Sequence, residues 1–174
     1  MSDYRAISRA DGLPSADLGN ATSETIFKKT GTTVSKCNLP ANSELSNTMF
    51  KVRAAGKVTG GTTTNFTLTL YFGFSSTIGS NTAIEASTAR AVNSVSANWF
   101  IEACCMWDDA SNKIAGYGRS MINNLYDVEA ALNNQITGAD PDADTELGFT
   151  VTGLFSATSA GNAAIMTVFE VIGE

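Results

Sequence analysis

Two stretches of strict period-two alternation, joined by a double glycine, constrain this chain more than any other feature. In the first, Phe50, Val52, Ala54, Gly56 and Val58 alternate with Lys51, Arg53, Ala55 and Lys57; in the second, Phe66, Leu68, Leu70, Phe72 and Phe74 alternate with Thr67, Thr69, Tyr71 and Gly73. Successive side chains of a strand point to opposite faces, so each stretch reads as a strand with one buried and one wetter side. Thr59-Gly60-Gly61-Thr62 reverses the chain between them, and a β-hairpin is expected.

The same reading extends along the chain. Ser96 to Trp107 puts Trp99, Ile101, Ala103, Cys105 and Trp107 on one face and Phe100, Glu102, Cys104 and Met106 on the other. With apolar residues on both faces, it is expected to be a central strand or one whose outer face meets a partner. The turn Asp108-Asp109-Ala110-Ser111-Asn112 leads into a strand over Lys113 to Ser120, and strands over Glu146 to Ser156 and Ala163 to Ile172 flank Ser159-Ala160-Gly161-Asn162. Earlier strands are expected near 25–29 and 33–39, and a weak one near 83–89 inside a Ser/Thr/Ala-rich crossing loop at 75–95. Residues 121–136 read as a strand end and loop with at most a short helix, because Ile122, Leu125, Leu132 and Ile136 have helical spacing that Asn123-Asn124 and Asn133-Asn134 interrupt.

About eight short strands with no alternating helices imply an all-β fold, a single antiparallel sandwich or barrel. A length of 174 residues suits one domain. Residues 1–22 stand apart: Tyr4, Ile7, Leu13 and Leu18 follow no regular period around Gly12-Leu13-Pro14. They read as an extended N-terminal arm, loose or ordered against a neighbouring subunit, with the β-sandwich domain over 23–174.

Composition narrows the chemistry. The chain has no histidine, which excludes Ser-His-Asp triads, Cys-His dyads and histidine-based metal sites. A formal charge of -6 gives no overall attraction to nucleic acid or anionic lipid, so neither is expected as a partner. Cys37, Cys104 and Cys105 are too few for a disulfide framework, and the first nine residues contain no apolar run of signal-peptide type; synthesis in a reducing cytoplasm is expected. No cofactor is expected.

Three features bear on a site. Asp140-Pro141-Asp142-Ala143-Asp144-Thr145-Glu146 opens like a calcium loop but lacks glycine at its sixth position and glutamate at its twelfth, so a solvated loop is the better reading. Glu102, the one carboxylate inside a strongly apolar strand, could serve a carboxylate-dependent hydrolase, although an interface salt bridge fits it better. Lys51, Arg53 and Lys57 form a basic stripe on one outward strand face, either solvated or docked on an acidic protein surface.

The ordered series of strand motifs resembles the small jelly-roll structural proteins of tailed bacteriophages. The resemblance runs from Leu39-Pro40-Ala41-Asn42 and Phe50-Lys51-Val52-Arg53-Ala54-Ala55-Gly56-Lys57-Val58 through Phe66-Thr67-Leu68-Thr69-Leu70-Tyr71-Phe72-Gly73, Trp99-Phe100-Ile101-Glu102-Ala103 and Lys113-Ile114-Ala115-Gly116. It closes with Phe149-Thr150-Val151-Thr152-Gly153-Leu154-Phe155-Ser156, the Gly161-Asn162 turn and Phe169-Glu170-Val171. It implies a jelly roll without catalytic residues: a decoration (cement) protein on the outer surface of the capsid, homotrimeric, bridging neighbouring major capsid proteins. A tail, baseplate or receptor-facing binding module is the alternative. In the cement reading, Tyr4, Ile7, Leu13 and Leu18 anchor the arm, and Lys51, Arg53 and Lys57 are further contact residues.

Overall fold

The computed structural model describes residues 5–10, 13–29, 34–39, 49–73, 77–93, 96–108, 111, 113–127, 130–135 and 147–173. These residues form thirteen strands: β1 (Arg5–Arg9), β2 (Thr25–Ile26), β3 (Lys36–Leu39), β4 (Met49–Thr59), β5 (Asn65–Phe72), β6 (Thr82–Ala86), β7 (Arg90–Ala91), β8 (Ser96–Asp108), β9 (Lys113–Ile122), β10 (Leu125–Tyr126), β11 (Ala130–Gln135), β12 (Leu147–Phe155) and β13 (Ala163–Gly173). One sheet, A, runs β1-β13-β4-β8-β9-β10, with β11 also on β9; the other, B, runs β2-β12-β5-β6, with β3 on β12 and β7 on β5. Every strand pair is antiparallel.

The pairing is nested. The first strand pairs the last (β1 with β13), β2 and β3 pair β12, β4 pairs β8, and β5 pairs β6. Rolling such a nested ribbon brings β13 beside β4 and β12 beside β5, which gives two Greek keys and a jelly roll. The strands β9, β10 and β11 sit between β8 and β12 in the chain and widen sheet A.

Both sheets turn their apolar alternation inward. Phe50, Val52, Ala54 and Val58 of β4 and Phe66, Leu68, Leu70 and Phe72 of β5 are all buried in one core. Aromatic rings bridge the layers: Phe149 of sheet B lies 5.9 Å from Phe50 of sheet A and 5.2 Å from its own sheet partner Phe72, and Phe27 stacks on Trp99 at 5.3 Å. Area burial of this kind is the dominant favourable term in folding.

Three sequence expectations need correction. The stretches around the double glycine are not a hairpin, because β4 belongs to sheet A and β5 to sheet B. Their apolar faces meet across the core instead of lying side by side in one sheet. The connection needs glycine: a Cβ on Gly60 would stand 2.5 Å from Val92 and one on Gly61 would stand 1.7 Å from Ser159. Residues 130–135, expected as loop or short helix, are strand β11. The expected break at Asn123-Asn124 is a two-residue hairpin turn between β9 and β10, with φ of 54° and 61°, values that asparagine tolerates better than most residues.

The third correction concerns the arm. Residues 5–9 are the edge strand of sheet A, and the segment continues along β13 through bonds from Ala10 N to Phe169 O (2.9 Å), Ser15 N to Met166 O (2.8 Å) and Leu18 N to Ala164 O (3.0 Å). Leu13 and Leu18 pack against the core of their own chain. An edge strand otherwise leaves its backbone groups to water or to another chain, and this segment occupies that place on β13.

Candidate functional site

The outer face of sheet A carries a connected set of ion pairs. Register aligns one residue from each of four adjacent strands: Glu170 of β13, Arg53 of β4, Glu102 of β8 and Arg119 of β9. The charges alternate along the row. Arg53 donates through Nε and a terminal nitrogen to Glu170, Arg119 donates through Nε to Glu102, and Lys51 adds a salt bridge to Glu102 at 2.9 Å. Opposite charges on neighbouring strands of one face attract directly, so the row is both a sheet brace and a surface feature.

Electrostatics favour the charged forms of Glu102 and Arg119. Burial pushes the Glu102 carboxyl up, but the hydrogen bonds and charges of Lys51 and Arg119 outweigh that and hold it below the ordinary carboxylate range. The bond to Glu102 raises Arg119 further above its already high value. A general acid needs a raised pKa, so Glu102 is unsuited to that hydrolytic role.

Beside the charge row runs an apolar one. Val168, Ala55, Phe100 and Met121 are consecutive register partners across β13, β4, β8 and β9, and Tyr126 of β10 closes the row with its ring 6.0 Å from Phe100, edge to face. Val168 and Tyr126 are among the exposed large apolar side chains, as are Met49 and Tyr117 elsewhere on this face. Two open grooves flank Val168, one of about 430 Å³ lined by Leu13, Arg53 and Glu170, the other of about 390 Å³ lined by Phe100, Glu102 and Arg119. The outer face of sheet B differs: there Tyr71 (2.9 Å) and Thr152 (2.7 Å) donate to Glu24 among threonines.

A second polar cluster lies between β6 and β9. Asp127 accepts from Thr88 N (3.1 Å), Ser120 Oγ (2.7 Å) and Arg90 (2.6 Å). Burial acts to raise its pKa, but the bonds from Thr88, Ser120 and Arg90 prevail and lower it. Glu85 nearby is buried, and desolvation together with the Asp127 charge pushes its carboxyl up to about 7.

The residues singled out from sequence divide accordingly. Lys51 and Arg53 join the charge row, while Lys57 is exposed on the same face. Leu13 and Leu18 belong to the core's margin, Ile7 lies on β1, and Tyr4 is outside the described residues. The acidic run 140–146 is also outside them. Asp108 caps its turn, accepting from Ser111 N (3.3 Å) and Oγ (2.5 Å). Cys104 and Cys105 point to opposite faces, Cys105 buried, and burial pushes its thiol up. Among the described residues, no group of three acidic or cysteine side chains is placed to hold a metal, and no helix is long and apolar enough to cross a membrane. Sequence reasoning did not single out Glu170, Arg119, Glu85 or Asp127. Glu170 carried one signal, a lone carboxylate between Phe169 and Val171 in an apolar strand.

Neither a protein-family model nor a curated protein matches the chain. Among solved structures, a match is an immunostimulatory antigen and pseudo β-1,3-glucanase of Mycobacterium tuberculosis, at 9% identity and a TM-score of 0.30, covering 86% of this chain and 78% of that one. A likeness at that level says nothing about activity.

Proposed function

We propose that this protein is a structural component of a tailed-phage virion that decorates the capsid and stabilises it by bridging neighbouring major capsid proteins. The observation that carries the reading is a jelly roll with a broad sheet face of braced charges and exposed apolar side chains, a surface suited to binding another protein. The ordered strand motifs that resemble phage jelly-roll proteins support it. Stabilisation would come from area buried at capsomer junctions, where a few well-packed anchors carry most of the energy.

Immunogold labelling of intact virions tests the assignment. Gold over the head surface is the expected result. Gold confined to the tail or baseplate would favour the alternative binding module, and virions without label would overturn a structural role altogether.

A further inference from the structure

The carboxylates of the charge row lie beneath its cations. The side chains of Glu102 and Glu170 are 11% and 7% exposed, whereas those of Arg53 and Arg119 are each 49% exposed. The face therefore presents guanidinium groups outward. A guanidinium has five N–H donors, and the bonds to the buried carboxylates engage only the inner ones, leaving donors for an acceptor outside. Each arginine is held in place before any partner arrives, which lowers the ordering cost of binding.

Charge balance says which partner fits. Lys51, Arg53, Lys57 and Arg119 outnumber Glu102 and Glu170 on the central rows of this face, in a chain whose formal charge is -6. A second copy meeting face to face would oppose like charges, since its compensating carboxylates are also covered. Nucleic acid would meet the same cations but be repelled by the acidic remainder. Because β8 separates β4 from β9, the two arginines stand two strand spacings apart, about 10 Å. The row of Val168, Ala55, Phe100, Met121 and Tyr126 alongside supplies the aromatic and methionine surface typical of interface centres.

We propose that the outer face of sheet A docks an acidic protein surface, one offering carboxylates about 10 Å apart to Arg53 and Arg119 and an apolar side chain to the groove beside Val168. The partner's place on a phage shell rests on the virion reading; the face and its chemistry do not.

The test uses the full chain and two probes, phage heads lacking the protein and an immobilised peptide of repeating Asp-Leu-Pro, whose polyproline II form repeats its carboxylates about every 9 Å on one side. The quadruple variant Arg53→Gln, Glu102→Gln, Arg119→Gln and Glu170→Gln removes the row without leaving a buried charge unpaired. Arg53→Lys with Arg119→Lys keeps the charge but loses the fork, and serves if the quadruple variant does not fold. Thr69→Glu on sheet B is the control. The expected result is binding that weakens at least tenfold in the quadruple variant and between low and high salt, at least threefold in the lysine variant, and not at all in the control. Equal binding by wild type and the folded row variants would overturn the proposal, as would no binding to either probe, or self-association that the row variants abolish. Wild type that ignores heads but binds the peptide through this row would refute the shell partner and uphold the face.

Discussion

The indole of Trp99 lies directly against the backbone of Gly56, its register partner on the neighbouring strand: a Cβ at position 56 would stand 2.6 Å from Cζ2 of Trp99 and 2.0 Å from the carbonyl oxygen of Ile165. The glycine is there because the fully buried tryptophan must fit under a sheet while stacking on Phe27. Gly56→Ala should therefore cost about 3 kcal/mol, at the upper end of what overpacking a core does. Gly79, with nothing within 4 Å of its would-be Cβ, is the contrast, and Gly79→Ala should change stability by less than about 0.5 kcal/mol. Urea unfolding of the two variants checks both numbers.

The N-terminal segment supplies the edge strand on β13 and two side chains that pack against the core. Deleting residues 1–22 should lower the melting temperature by about 10 °C or more, as loss of about 3 kcal/mol does for a domain of this size. Leu18→Ala alone should cost about 1 to 2 kcal/mol, less than a fully buried leucine. A truncated chain melting with the intact one would show that the segment does not hold the sandwich together.

Glu85 sets a pH dependence of its own. Its folded-state pKa, about 7, lies above the ordinary carboxylate value of 4.5, so the folded protein holds a proton that the unfolded chain has released between those two pH values. Stability is then fully present below about pH 4.5 as far as this group is concerned, and is lost as pH rises through 7, by on the order of 2 kcal/mol. Glu85→Gln should remove that decline and be more stable than wild type at pH 8. Thermal melts from pH 4 to 8 that stay parallel for the two proteins would refute it.

Glu102 works in the opposite sense. Its pKa is lowered in the folded state, so its contribution is present above the ordinary carboxylate range and is lost as pH falls through the folded value. Glu102→Gln leaves Lys51 and Arg119 without their shared carboxylate and should cost about 1 kcal/mol at pH 7, a modest figure because both cations are partly exposed. The wild-type and variant stability curves should converge in acid.

What the sequence made legible was mostly local. Alternation in β4 and β8 gave the faces correctly, and with them the placement of Lys51 and Arg53 on the wetter face of β4 and of Glu102 opposite Trp99 and Ile101 on β8. It could not say whether the strands on either side of Gly60-Gly61 share a sheet or face one another, since both arrangements need the same alternation and the same turn. Nor could it pair Arg53 with Glu170, 117 residues away, because that contact depends on β13 returning beside β4. Strand β11 was missed for a different reason: Leu132, buried on it, happens to stand at helical spacing from Ile122 and Leu125. Glu85 gave no sequence signal, as its raised pKa arises from burial between sheets and from Asp127 on another element.

The measurement that bears most directly on the virion role is a binding titration of the purified protein onto phage heads assembled without it, read by co-sedimentation. Saturation at a fixed ratio of protein to capsid subunits, with heads that then resist heating better than bare ones, is the predicted result. Heads that pellet without the protein at every concentration, and soften at the same temperature as bare ones, would contradict it.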